Sequence, residues 1–222
     1  MSDYLGKIIV IVGPTSSGKS ELAVKLAKTY GGEVISADSR QIYKGMDLGS
    51  GKVSPLRKRS GKLTYKNVIH YGLDIASPKR VYSVAKFIEY GEKVMKDIQS
   101  KSHVAIICGG TGHWIDALIS GQRFPAVKPN HQLRQKLEKI PKQQLLEKLQ
   151  TLDPNRAASI DKNNSRRLIR ALEIVLSTNS PVPAITTNQK KFKQAIWLGL
   201  YPGKDELSLK IKKRLSERIK RS

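Results

Sequence analysis

Apolar residues along this chain follow two rhythms. Short unbroken runs, Ile8 to Val12 and His103 to Cys108, predict strands buried on both faces, as parallel sheets require. Glu33-Val-Ile-Ser36, Val68 to Asp74 and Ala195 to Tyr201 predict further strands. The second rhythm has a helical period. It covers Glu21 to Lys28, which Gly31-Gly32 closes, and Trp114 to Ile119. Val84, Phe87, Ile88, Gly91, Val94, Met95 and Ile98 mark another helix, whose start is placed at Ser77-Pro78. Leu207, Ile211, Leu215 and Ile219 give a basic amphipathic helix at the end. Met46 to Lys66 is glycine-rich and aperiodic and reads as loop. Strands alternating with helices predict an α/β fold built on a parallel sheet.

From Phe124 the character changes. Pro125 and Pro129 punctuate the chain, and Leu133, Leu137, Leu145, Leu146 and Leu149 then sit in polar, charged helices. Asn164-Ser165 is placed to cap a helix from Arg166 to Leu176, with Leu168, Ile169, Leu172 and Leu176 turned inward. Residues 124–176 therefore read as a helical insert in a core made of residues 1–123 and 177–222.

The first strand leads into Gly13-Pro14-Thr15-Ser16-Ser17-Gly18-Lys19-Ser20, and a helix follows. Strand, glycine loop and helix form the context that a phosphate-binding loop needs. Gly13 and Gly18 let the backbone curl until successive N–H groups face one hollow at the positive end of the helix. Lys19 then reaches outer phosphate oxygens, and the Ser20 hydroxyl is suited to Mg²⁺. The fold class is thus a P-loop NTPase-like parallel sheet flanked by helices. The motif specifies a phosphate group and leaves the rest of the ligand open.

Charge adds a second theme. The 222 residues carry 41 Lys and Arg against 18 Asp and Glu, a net +23. Lys52 to Lys66 contains no acid, and Lys190 to Arg221 has only Asp205, Glu206 and Glu217. Such an excess is the footprint of a polyanion partner, nucleic acid above all. The single cysteine, Cys108, lies in an apolar run and reads as a core thiol in a reducing cytoplasm. His70, His103, His113 and His131 have no metal-ligand spacing, and no segment is long enough to cross a membrane.

Three further groups invite chemistry. Asp38 follows the second strand, at the sheet edge where ligands bind in open parallel sheets. There a carboxylate either takes a proton or holds a metal, or it simply caps the next segment. Gly109-Gly-Thr-Gly112 follows another buried strand, so its backbone and the Thr111 hydroxyl come within reach of a phosphate. Arg167 and Arg170 share a helix face, suited to phosphate or simply to solvent.

Taken in order, GPTSSGKS, ISADSRQIYKGMDLGSGK, LDIASP with YSVAKF, GGTG and NNSRRLIRALEI make the chain resemble the tRNA dimethylallyltransferases over about Gly13 to Ile174. The resemblance implies transfer of a dimethylallyl group from dimethylallyl diphosphate to N6 of adenosine 37 beside the tRNA anticodon. It implies that residues 13–20 hold the diphosphate with Mg²⁺, and that Asp38, Lys19 and Thr111 are catalytic, with Asp38 the general base. Asp38, Ser39, Arg40 and Gln41 would grip the target base. Arg134, Arg166, Arg167, Leu168, Ile169 and Arg170 would contact the tRNA. A monomer is expected.

The pattern departs from the family at three places. His113-Trp114 stands where Leu or Met and then Tyr is usual, which makes Trp114 the candidate aromatic wall for the prenyl tail. Lys204 replaces an arginine in the late helix, and the family's C-terminal segment is expected to be missing beyond Ser222. Prenylation of free adenine nucleotides, an ATP-dependent kinase, and a non-catalytic RNA binder are the competing readings.

Overall fold

A computed structural model describes residues 8–54, 56–57, 62–184 and 195–220. It divides into two compact units, residues 1–122 with 187–222, and residues 123–186.

The first unit opens with β1 (Ile8–Val12), the phosphate loop and α1 (Lys19–Tyr30). Gly31 ends α1 in the left-handed conformation and donates its N–H to Ala27 O. Then come β2 (Gly32–Ser36), the single turn α2 (Asp47–Ser50), and β3 (Leu56–Arg57), β4 (Leu63–Tyr65) and β5 (Val68–Tyr71). Residues 46–66, expected as loop, thus contain one helical turn and two strands. The β4–β5 hairpin turns on Lys66 and Asn67, both at positive φ (50° and 65°), a geometry whose twist suits two-residue hairpins. β3 and β4, of two and three residues, are too short to give a periodic signal.

The unit continues with α3 (Val84–Ser100), β6 (Val104–Cys108) and α4 (Gly112–Ile119). α3 starts later than Ser77-Pro78. Ser83 caps it by accepting a hydrogen bond from Lys86 N, while Ser77 closes a turn with Arg80 N at 3.1 Å. Gly91 of α3 lies against Leu118 of α4, with a Cβ there coming 2.9 Å from its Cδ2.

The sheet order is β3-β4-β5-β2-β6-β1-β7. β5, β2, β6, β1 and β7 are mutually parallel, and β3 and β4 pair antiparallel at one edge. β6 lies between β1 and β2, so the chain crosses over it to pass from β1 to β2. Val10, Ile11, Ile35, Ile106 and Ile107 are wholly buried in these central strands, as their unbroken apolar runs require. β7 (Ala195–Gly199) is the outer strand beside β1, with Ile196 and Trp197 exposed, and α9 (Lys204–Ile219) follows it.

The second unit consists of α5 (His131–Glu138), α6 (Lys142–Leu152), α7 (Pro154–Ser159) and α8 (Ser165–Thr178). Asn130, Asp153 and Asn164 cap α5, α7 and α8 by accepting from Leu133 N, Arg156 N and Arg167 N. Leu137, Leu145, Leu149, Leu168, Leu172 and Val175 form its core. Leu176, expected inside, lies in the last turn of α8 outside that cluster and is 45% exposed.

One ion group ties α8 to α5 and its cap. Glu173 is fully buried and accepts from Asn130 N at 2.6 Å, Arg134 Nε at 2.8 Å and Arg134 Nη2 at 2.7 Å, and from Arg170 Nη1. Burial alone would push its carboxyl up. The Arg134 guanidinium, the Asn130 amide and Arg170 outweigh burial and bring it down to about 2. Removing the carboxylate leaves two guanidinium groups uncompensated, so Glu173→Ala is expected to cost about 3–5 kcal/mol in urea denaturation. Because the folded pKa is depressed, this stabilisation is present above the ordinary value of 4.5 and is lost as pH falls toward about 2. The variant's stability should therefore approach that of the unmodified chain on acidification.

Candidate active site

Three loops meet at the carboxyl edge of the sheet. The loop after β1 carries Gly13 to Ser20. Gly13 has φ +151°, and a Cβ on it would come 2.5 Å from Leu200 O, because Leu200 N bonds Val12 O at 2.8 Å. Gly18 opens α1 at φ +95°. Only glycine meets both demands without strain. Lys19 is 9% exposed and donates to Gly13 O at 2.9 Å and Pro14 O at 2.7 Å. Burial lowers its pKa and nearby Arg214 adds to that, while Cys108 and Asp38 oppose it.

The loop after β2 carries Asp38. Its Oδ1 accepts from Arg40 N at 2.9 Å, a local turn that fixes the side chain. The other oxygen lies beside Gly110, where a Cβ would approach it to 3.4 Å. The loop after β6 presses against this one. A Cβ on Gly109 would collide with the Ala37 backbone, while Ala37 N donates to Cys108 O at 2.9 Å and Thr111 N to Ala37 O at 3.2 Å.

A cavity of about 580 Å³ opens where these loops converge. Thr15, Ser16, Gly18, Lys19 and Ser20 line it, with Asp38, Gln41, Gly109 and Gly110. Amide-rich backbone, one lysine and one carboxylate therefore share a single space. The Ser20 hydroxyl and the Asp38 carboxylate suit Mg²⁺, which takes one or two protein oxygens and fills its remaining positions with phosphate oxygens and water. Among the described residues no cluster of three His, Cys, Asp or Glu is placed to hold a metal by itself.

Thr111 is engaged by the neighbouring loop. Its Oγ1 accepts from Ser39 N at 2.9 Å and donates to Ser39 Oγ at 3.2 Å, and the residue is not among those lining the cavity. Its hydroxyl ties the β6 loop to the β2 loop. Gln41 is also engaged, accepting from Ser36 Oγ at 3.2 Å and donating to Gly51 O at 3.4 Å. Trp114 is no wall of this space. It is 6% exposed and stacks on Phe87, ring centres 4.7 Å apart, between α3 and α4.

On the helical unit the expected tRNA residues separate. Leu168 and Ile169 are core side chains with no surface to offer, and Arg134 and Arg170 are bound to Glu173. Arg166 and Arg167 are exposed, Arg167 Nη1 lying 3.7 Å from Asp161 Oδ2. A shallower hollow of about 660 Å³ on this unit, bordered by Lys128, Asn130 and His131, gathers none of the groups above.

The cavity also holds residues that sequence reasoning passed over. Lys210, Lys213, Arg214 and Glu217 of α9 line it, and Arg214 donates to Ser16 Oγ at 3.3 Å and to Gly51 O. Their three- and four-residue spacing puts them on one helix face, which is a signal available in the sequence. Lys204, the position where an arginine was looked for, is exposed and outside the lining. Cys108 forms part of the wall. Burial pushes its thiol up to about 12, with Lys19 and the Ser20 hydroxyl opposing, so it is no nucleophile at neutral pH.

Comparison with known proteins follows the same lines. The family model described as IPP transferase matches residues 41–222, and one described as isopentenyl transferase matches residues 6–70. The chain is 38% identical over 218 residues to a tRNA dimethylallyltransferase of Thermomicrobium roseum, covering 96% of this chain and 64% of that protein. It is also 38% identical to one from Geobacillus thermodenitrificans, covering 96% and 67%. A crystal structure of the full-length tRNA isopentenylpyrophosphate transferase of Bacillus halodurans superposes with TM-score 0.61 at 33% identity, covering 98% of this chain and 67% of that one. A eukaryotic dimethylallyltransferase acting on tRNA gives TM-score 0.75 at 25% identity, covering 97% and 53%. The chain spans about 64% of the length of the Thermomicrobium relative. With its phosphate loop, sheet order and matched length, this chain belongs to the IPP transferase family.

Proposed function

We infer that the chain transfers a dimethylallyl group from dimethylallyl diphosphate to N6 of adenosine 37 of tRNA and releases diphosphate. One observation carries this reading: the phosphate loop and the Asp38 carboxylate open into the same cavity. A leaving diphosphate and a proton acceptor are the two things such a transfer needs.

An exocyclic adenine amine is a weak nucleophile, so the barrier falls mainly by stabilising the departing charge. The loop amides and Lys19 do so from fixed positions in a partly dry space, with Arg214 bordering the same loop. Mg²⁺ held by Ser20 would neutralise further charge on the phosphate oxygens. As N6 bonds to the allylic carbon, the C–O bond to the diphosphate breaks with its electron pair going to oxygen. Asp38 takes the N6 proton. The base must leave its stack to reach this depth, which costs a few kcal/mol. The positive excess of the chain, +23, offsets that through contacts with the tRNA backbone. Ser39, Arg40 and Gln41 stand beside Asp38 to receive the base, and exposed Arg166 and Arg167 offer backbone contacts.

Incubation with labelled dimethylallyl diphosphate and tRNA should transfer label to tRNA and free diphosphate. Label appearing on AMP or ADP instead, or phosphate moving from ATP to an acceptor, would overturn the reading. Asp38→Asn should keep tRNA binding and lose about 10²-fold or more in single-turnover rate. An unchanged rate would remove Asp38 from the chemistry. Arg214→Ala should raise the KM for dimethylallyl diphosphate about tenfold or more, since a charge-assisted hydrogen bond is worth about 1.5–3 kcal/mol. Affinity for tRNA should drop steeply with salt in a filter-binding titration, because neutralised phosphates release counterions.

A further inference from the structure

Lys52 lies in the wall of the cavity, yet its side chain is only 1% exposed. Its Nζ donates to Tyr43 O at 2.9 Å, Asp47 Oδ1 at 2.6 Å and Asp74 Oδ1 at 2.5 Å. An ammonium has three donors, and these three contacts use all of them. Burial opposes the charge, but the carboxylates of Asp47 and Asp74 outweigh it and raise the pKa above the ordinary lysine value. The residue therefore stays charged and belongs to the interior, although its place in the acid-free stretch 52–66 suggested a charge offered to a polyanion.

The three acceptors come from two segments. Tyr43 follows Gln41, Asp47 opens α2, and Asp74 follows β5. Backbone bonds run alongside, from Asp74 N to Gln41 O at 3.3 Å, Ala76 N to Ile42 O at 2.9 Å and Lys44 N to Ala76 O at 3.0 Å. The preceding carbonyl, Gly51 O, accepts from Gln41 Nε2 and from Arg214. An apolar side chain would fill the space without the desolvation cost of several kcal/mol that a buried ion carries. What the charge adds is a tie of three hydrogen bonds between the segment that runs from Asp38 into α2 and the segment after β5.

We propose that Lys52 is a positioning residue for the acceptor: it holds the segment from Asp38 to Asp47 against the cavity and thereby sets how the incoming base is bound. The diphosphate grip remains with the loop after β1, which Lys52 does not touch. This rests on the tRNA-prenylation reading for its kinetic consequence, while the clamp itself is measurable without it.

The test uses the full chain with Lys52→Met and with Asp47→Asn, whose side chain is 68% exposed, so that its replacement leaves no cavity. Lys52→Met should raise the KM for tRNA about tenfold or more while the KM for dimethylallyl diphosphate stays within about threefold. Asp47→Asn should move tRNA KM the same way by about threefold, and it carries the test alone if Lys52→Met does not fold. In the free protein, amide exchange should quicken in residues 38–47 and 72–76 and stay unchanged in α1 and β6. Equal loss for donor and acceptor, no change, or a uniform gain in exchange overturns the proposal. Should the unmodified chain fail to prenylate tRNA, the functional reading falls. The exchange pattern alone then decides, a confined change upholding the clamp and any other pattern overturning it.

Discussion

At the carboxyl edge of the sheet two backbones lie so close that no side chain fits between them. Gly109, leaving β6, rests against the Ala37 backbone, leaving β2, and the segments exchange hydrogen bonds through Ala37 N and Thr111 N. Thr111 then closes the seam by bonding both the amide and the hydroxyl of Ser39. Since β6 also pairs with β1, this contact places Asp38 across the same opening as the phosphate loop. Backbone packing thus sets how far the Asp38 carboxylate stands from the phosphate loop.

Around this seam the buried charges are compensated by near neighbours. Lys19 is turned onto the carbonyls of Gly13 and Pro14, Lys52 onto two aspartates and a carbonyl, and Arg214 onto Ser16 and Gly51. At the opposite end of β2, buried Glu33 accepts from Tyr71 Oη at 2.6 Å and lies 2.8 Å from His103 Nδ1. In the helical unit Glu173 takes two arginines. An unpaired ion in such places would cost several kcal/mol, so these pairs fix orientation as much as they stabilise. The same pairing fixes the orientation of Arg134 and Arg170, each about a third exposed.

The central strands, α1 and the phosphate loop are legible in the sequence because each is specified locally. Five apolar residues in a row admit little but a buried strand, and Gly13 and Gly18 stand where the backbone tolerates no Cβ or needs positive φ. α8 is legible through Asn164 and its apolar spacing. Less visible were β3 and β4, too short for periodicity, and the start of α3, where one serine rather than another became the cap.

Asp38 and Ser20, both singled out in the sequence, line the cavity, but the sequence could not say which arginines are held by Glu173. By itself the sequence determined a P-loop α/β core, a helical addition and a phosphate loop, since each of these follows from residues adjacent in the chain. Only tertiary structure decided that Arg214 would reach Gly51 O, 163 residues away in the chain, and that Lys52 would turn onto Asp47 and Asp74. It also decided that Thr111 would fasten a loop and that Trp114 would stack away from the cavity. The physical reason is that long-range contacts are set by how elements stack, and no local pattern encodes the partner of a side chain across the fold.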